Sequence, residues 1–166
     1  MEDFSSMPGH LARRFQQIAV AIFHAEVAAA SSDLTPVQYA ALVAVAGRPG
    51  IDQATLAGLI AFDRTTIGGV VDRLLQKGFL ARRVSEADRR AHVLHVTPAG
   101  RETIARIGPA VEAAQRTMLQ GLTAAEAVRF MRLLRKAVDG ANALSRAPMA
   151  GEGRPPSRPR PSRRMP

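Results

Sequence analysis

Residues 63–78 read Asp63-Arg-Thr-Thr-Ile67-Gly-Gly-Val-Val-Asp-Arg-Leu74-Leu-Gln-Lys-Gly78. Ile67, Val70, Val71 and Leu74 recur at i, i+3, i+4 and i+7, one apolar stripe along a helix. Asp63 is the expected N-cap, and Lys77-Gly78 the expected end. Rotation by about 100° per residue puts Thr65, Gly69, Asp72 and Gln76 opposite the stripe, flanked by Thr66, Gly68 and Arg73. A glycine inside a helix costs about 1 kcal/mol relative to alanine. Two adjacent ones make sense where a bulkier side chain would obstruct close approach to another surface.

Working outward, Ile51-Asp52-Gln53-Ala54-Thr55-Leu56 precedes this helix. Asp52 is a good N-cap, and Ile51 can pack on Leu56 as a hydrophobic staple. The short helix it opens is expected to end near Ile60, leaving only Ala61 and Phe62 before Asp63. Two helices joined by so short a turn describe a helix-turn-helix unit. Downstream, Leu80–Ser85 and His92–Thr97 alternate with period two around Glu86-Ala-Asp88-Arg89-Arg90-Ala91, a β-hairpin carrying adjacent arginines at its tip.

The flanks are helical. Apolar residues Leu11, Phe15, Ile18, Ile22 and Val27 predict a helix from about Pro8 to Ala30. Thr35-Pro-Val-Gln38 is a capping box opening a second helix that stops at Gly47. Thr97-Pro98 starts a long helix bearing Ile104, Ile107, Val111, Met118 and Leu119 and ending at Gly121. Thr123-Ala-Ala-Glu126 is a second capping box, and Ala127, Phe130, Met131, Leu134 and Val138 follow in register. The fold class is therefore mainly α with a small β-hairpin. Residues 35–97 form the compact unit, and the apolar stripes of 1–34 and 98–145 serve as core and as an interface between copies.

Bulk properties narrow the function. The chain of 166 residues has 46% hydrophobic residues, no cysteine and no tryptophan, and a net charge of +9. One domain with an ordinary core is expected, and thiolate zinc sites and disulfides are excluded. No apolar run approaches the ~18 residues of a membrane span. The beginning MEDFSSMPGH lacks a basic-then-apolar signal pattern, so a cytoplasmic protein is expected. Residues 147–166 hold five arginines, one glutamate and six prolines, so they carry +4 of the net +9. This composition predicts that 146–166 is a disordered tail. The remainder is still basic, which is permissive for a nucleic-acid partner.

A helix-turn-helix followed at once by a basic hairpin makes a winged unit, whose helix can enter a major groove while the hairpin reaches the backbone or minor groove. The block DQATLAGLIAFDRTTIGGVVDRLLQKGFLARRVSEADRRAHVLHVTPAG, residues 52–100, resembles the MarR family of bacterial transcription regulators. Its most specific piece is Asp88-Arg89-Arg90 followed by a strand and then Thr97-Pro98-Ala99-Gly100. With the flanking helices, the resemblance covers about residues 8–145.

It implies a winged helix-turn-helix with dimerisation helices, binding a double-stranded, pseudo-palindromic operator as a homodimer, as a repressor released by a small ligand. Carried over by position, Gln53, Ala54 and Thr55 would brace the backbone, and Arg64, Thr65, Thr66 and Gly69 would read the major groove. Arg73 would meet phosphate, Arg89 or Arg90 would enter the minor groove, and Asp88 would hold the loop's arginines. Arg82 and Arg83 point to opposite faces, so one of them is expected to face DNA. The stretch LTPVQYA with residues 50–74 is similar to the subgroup controlling aromatic-acid or nicotinate degradation. Between the dimer helices and the winged unit, His10, Arg14, Phe15, His24 and Tyr39 are candidates to hold an aromatic carboxylate.

Other chemistries find no support. His92 and His95 lie at odd spacing on a strand and cannot share a metal, and Glu26 does not face His24. No Gly-x-Ser-x-Gly, phosphate loop or carboxylate cluster is present, so neither a catalytic site nor a cofactor or metal is expected. The alternative to a specific regulator is an architectural protein coating DNA without sequence preference.

Overall fold

In a computed structural model that describes residues 3–85 and 88–150, eight regular elements follow in order. They are α1 (Pro8–Ala29), α2 (Pro36–Gly47), α3 (Gln53–Leu59), α4 (Ile67–Gln76), β1 (Leu80–Val84), β2 (His92–Val96), α5 (Pro98–Met118) and α6 (Ala124–Ala141). Single 3-10 turns precede α1 and follow α6. Both capping boxes form: Thr35 with Gln38 opens α2, and Thr123 with Glu126 opens α6.

One core joins every element except α6. Phe23 and Val27 of α1, Leu42 and Val45 of α2, Leu56 of α3, Val71 and Leu74 of α4, Leu80, Leu94 and Ile107 are all buried together. Each such side chain contributes about 1.5–3 kcal/mol on burial. The stripe read on α4 is seated there through Ile67, Val71 and Leu74. The α1 and α6 stripes behave differently within one chain. Leu11 and Ile18 are about half exposed, α6 buries nothing, and Val128 and Val138 stand 73% and 58% exposed.

Three local expectations need correction. α4 begins at Ile67, later than Asp63 predicts, because residues 64–66 form a turn held by the Asp63 side chain. Ile51 does more than staple α3. Its carbonyl accepts from Leu94 N–H and Gly50 N–H donates to Leu94 O, both at 2.9 Å, adding a one-residue third strand to the hairpin. α5 ends at Met118, with Gly121 in the following turn rather than at the helix end. Of the tail predicted at 146–166, residues 146–150 are described and fold back on the chain, Met149 N–H donating to Asn142 Oδ1 and Ala150 N–H to Gly58 O, each at 2.8 Å, while 151–166 lie outside the described residues.

Candidate nucleic-acid interface

The approach to α4 is built from short-range hydrogen bonds. Asp52 caps α3, its carboxylate accepting from Thr55 N–H at 2.9 Å and from the Thr55 hydroxyl at 2.6 Å. Burial raises the Asp52 carboxyl, but these bonds and backbone N–H groups outweigh it and leave it below the usual aspartate range. After α3 the chain turns through Ala61 at φ 50°, and Phe62 N–H closes the turn on Ala57 O. Asp63 then accepts both the Thr65 hydroxyl and Thr65 N–H, which hold its carboxyl low. The Thr66 hydroxyl donates to Asp63 O at 3.1 Å. Thr55, Thr65 and Thr66 thus have their single hydroxyl protons engaged inside the protein, and each oxygen is left as an acceptor. Sequence rotation placed Thr65 on the helix face; it sits instead on the turn before it, beside the exposed Arg64.

The two glycines differ. A Cβ at Gly68 would meet Gln53 Nε2 at 3.5 Å, an ordinary contact, so this glycine sits under the N-terminal residue of α3. A Cβ at Gly69 would meet nothing within 4 Å. Among the described residues nothing requires glycine at 69. Arg73, one turn further along α4, is exposed.

β1 and β2 pair antiparallel with Leu80 opposite Val96, Arg82 opposite Leu94 and Val84 opposite His92. Directly opposed residues share a face, so Arg82 lies on the side of buried Leu80 and Leu94. There its Nη2 stands 3.4 Å from Asp72 Oδ1 on α4. Arg82 thus braces the wing against α4 and offsets a carboxylate that would repel phosphate. Arg83 points the other way. At the tip, Ala91 N–H donates to Asp88 O and Arg90 N–H donates to Asp88 Oδ1, each at 2.9 Å. Asp88 therefore holds Arg90 by its backbone and pairs with neither guanidinium. Arg64, Arg73, Arg83, Arg89 and Arg90 are all exposed, and their guanidinium groups have no ion pair or hydrogen bond among the described residues. Glu86 and Ala87 of the loop lie outside those residues.

The wing is fastened at its root. α4 ends in a turn where Gly78, at φ 71°, donates to Leu75 O and Phe79 N–H donates to Leu74 O. The Thr97 hydroxyl donates to Gly78 O at 2.6 Å and accepts from Gly100 N–H at 3.0 Å. A Cβ at Gly100 would collide with the Phe79 carbonyl oxygen and stand 2.8 Å from Val96 Cγ1. Glycine at 100 lets the first turn of α5 lie on the base of β1. The sequence shows Thr97-Pro98-Ala99-Gly100 only as a pattern; its reason is this contact.

A family model described as MarR family matches residues 32–91, from the loop before α2 to the wing tip. The transcriptional repressor NicR of Pseudomonas putida is 30% identical over 137 residues, which span 82% of this chain and 85% of that protein. The chain belongs to the MarR family. Its winged helix-turn-helix is a transcription regulator's DNA-binding unit, on an all-helical frame with one hairpin. Among solved MarR-type structures, Bordetella bronchiseptica BpsR, whose DNA binding is regulated by 6-hydroxynicotinic acid, is 34% identical with a TM-score of 0.78. That match covers 84% of this chain and 98% of that one. The transcriptional repressor CouR, bound to a 23-mer DNA duplex, is 27% identical with a TM-score of 0.75, covering 83% and 96% of the two chains.

The five residues assigned to an effector site do not converge within one chain of this MarR-type protein. His10 rings against Phe4 at 4.4 Å and Phe15 against Phe130 at 5.6 Å, while Arg14 is exposed. His24 and Tyr39 instead flank Phe23, with ring centroids 6.1 and 6.2 Å from it. α1 is continuous from Pro8 to Ala29. At 1.5 Å per residue, His10 and His24 are about 21 Å apart along its axis. Within one chain, a small carboxylate could touch one group or the other, not both. Burial and the nearby Glu112 carboxylate raise the Tyr39 hydroxyl above its usual value, so it stays protonated and can donate. Among the described residues no cluster of three His, Cys, Asp or Glu side chains is placed to hold a metal, and no helix is long and apolar enough to cross a membrane.

Proposed function

We propose that this regulator acts in the cytoplasm as a homodimeric repressor, without enzymatic activity, that grips a pseudo-palindromic operator and releases it on binding an aromatic carboxylate. One observation carries the DNA-binding assignment. The turn before α4, the exposed side of α4 and the wing carry five exposed arginines, unpaired among the described residues, around a glycine face that those residues leave open. In this reading α4 enters the major groove at Gly69. Thr65 and Thr66 accept hydrogen bonds there from base amino groups, and Arg64 reaches base edges or phosphate. Arg73 takes phosphate, Arg89 or Arg90 takes the minor groove, and Gln53 and Thr55 brace the backbone. Residues 35–97 are then the DNA-binding region, and 1–34 with 98–145 the dimerisation region.

The dimer assignment is supported by the apolar surface left on α1 and α6. An open groove of about 480 Å³ lined by Leu119, Ala127, Val128, Met131, Arg132 and Arg135 lies on the same surface. The effector class is supported by the likeness to BpsR, with Tyr39 and His24 the better-placed pair in this chain and His10, Arg14 and Phe15 near the other end of α1.

Selection of binding duplexes from a random library, followed by competition, tests the central statement. A specific regulator retains a preference of ~10³ or more for its site over unrelated DNA, whereas a coating protein shows none. Titrating hydroxynicotinates and hydroxybenzoates into the complex tests the effector. Release by none of them would remove the aromatic-acid assignment.

A further inference from the structure

Within one chain α6 buries no residue, and its Phe130 ring meets Phe15 of α1 with centroids 5.6 Å apart. Its far end is held differently. The Asn142 side chain clasps the segment that follows, its amide donating to Met149 O at 3.1 Å and its carbonyl oxygen accepting from Met149 N–H at 2.8 Å. Two hydrogen bonds from one side chain to one residue's backbone fix both the distance and the direction of residue 149. Ala150 N–H then donates to Gly58 O of α3 at 2.8 Å.

The acceptor is one that a helix end leaves over. α3 ends at Leu59, and the Phe62 N–H, four residues beyond Gly58, goes to Ala57 O instead. The Gly58 carbonyl therefore takes its donor from residue 150. Glycine suits this contact, since a Cβ at 58 would meet Ala150 Cβ at 3.2 Å, tighter than ordinary packing. Arg146, within the same segment, acts by charge on Asp63 at the entry to α4. None of residues 142–150 belongs to the buried core, so these contacts join α6 to α3 without being part of what folds either.

We infer that residues 142–150 are a strap that ties the dimerisation helix α6 to α3 of its own chain and so fixes the spacing of the two DNA-reading units in the dimer. The inference rests on the dimeric DNA-binding reading above. Leverage supports it. α6 is joined to α5 through residues 119–123 and touches α1 at Phe130, both toward its beginning. Asn142 is twelve residues beyond Phe130, about 18 Å further along the axis. An attachment at that distance resists pivoting of α6 far better than one beside the turn. Half-sites one helical turn apart, about 34–36 Å, demand that the two reading units keep their separation. With the strap closed the frame holds one separation, and with it open the frame admits its neighbours.

The test exploits a sequence without cysteine. Gly58→Cys with Ala150→Cys places one reversible pair at the contact, its Cβ atoms a few tenths of an ångström inside the ~3.5–4.5 Å that a disulfide spans. Mild oxidation should bridge the pair within one chain, read by non-reducing electrophoresis and mass spectrometry. Full-length proteins are then titrated by fluorescence anisotropy onto the selected operator and onto duplexes with half-sites one base pair closer or further apart. The oxidised pair should equal or exceed wild type in its preference for the native spacing. Ala150→Pro removes the N–H donor and Asn142→Ala opens the clasp. Each should lower that preference by about three- to tenfold, the worth of roughly one net hydrogen bond. Their thermal midpoints should stay at the wild-type value, because the core is untouched.

Unchanged spacing preference in both strap variants overturns the proposal. An oxidised pair that binds operator more weakly than wild type overturns it too, since the strap would then restrain binding. Failure of the bridge to form, or its formation only between two chains, removes the contact with the chain's own α3. The DNA-binding reading fails separately, if the wild-type chain prefers no duplex over another.

Discussion

Replacing Gly69 by alanine separates two demands that usually act together. Gly69 is the third residue of α4, exposed, with no atom within 4 Å of the position a Cβ would take. Among the described residues the methyl group therefore meets no neighbour, and the helix gains backbone preference worth about 0.5–1 kcal/mol. For a chain of 166 residues this should raise the thermal midpoint by roughly 2–4 °C. In the proposed complex the same methyl stands where the groove floor comes closest. Moving α4 back to accommodate it weakens the base contacts made from Arg64 and Thr65, at about 1–3 kcal/mol for one good pair. Operator affinity should fall by about five- to a hundredfold. Differential scanning fluorimetry and anisotropy titration on the same samples read the two effects. A more stable protein with unchanged operator affinity would refute the close approach at Gly69, and a less stable one would refute the open space around it.

Arg89→Ala and Arg90→Ala should each lower the magnitude of the salt slope by about 0.9 if the guanidinium neutralises a phosphate, with no loss of stability, because neither is paired within the described residues. Gly100→Ala forces a methyl onto the Phe79 carbonyl and should lower stability by about 1–3 kcal/mol, seen as an earlier urea midpoint. Asp52→Ala removes the α3 cap and should cost about 1 kcal/mol at neutral pH. The folded-state carboxyls of Asp52 and of Asp33, the latter bound to Lys77 at 2.6 Å, lie below the usual aspartate range. Their stabilisation is therefore complete above the unfolded-state value and is lost as pH falls through the lowered one. Unfolding curves measured from pH 6 to pH 2 should show that acid loss, and Asp52→Ala should show less of it.

Most of the fold was legible because its punctuation is local. Thr35 with Gln38 and Thr123 with Glu126 form their capping boxes within a few residues, and the period-two runs around residues 86–91 fix a hairpin whose register needs no distant partner. The errors arise where a nearby side chain competes with the helix or a remote segment supplies the partner. Asp63 is a plausible N-cap, yet its carboxylate takes the hydroxyl and N–H of Thr65 and holds a turn, so α4 starts later. Ile51 looks like a helix staple because its partner, Leu94, arrives only with the folded wing. At the interface, arginine positions were readable from the hairpin and helix. The diversion of Arg82 to Asp72 was not, since it depends on the angle between β1 and α4. The five effector candidates were collected by chemistry alone, and within one chain they fall into two groups, His10, Arg14 and Phe15 towards one end of α1 and His24 with Tyr39 of α2 about Phe23.

The joint at Thr97 and Gly100 bears on how the molecule can be rebuilt. One hydroxyl spans the end of α4 and the start of α5, and a helix turn rests on the Phe79 carbonyl just before β1, which leaves no room for a Cβ. A graft that exchanged DNA-reading units between regulators at the sequence boundary before Pro98 would cut through this bearing surface. Crossing over beyond Arg101, whose guanidinium also donates to Val96 O at 3.0 Å, keeps the hinge pin with the wing it serves. Chimeras joined there should transplant operator preference intact, while those joined at residue 97 should arrive with a loosened wing.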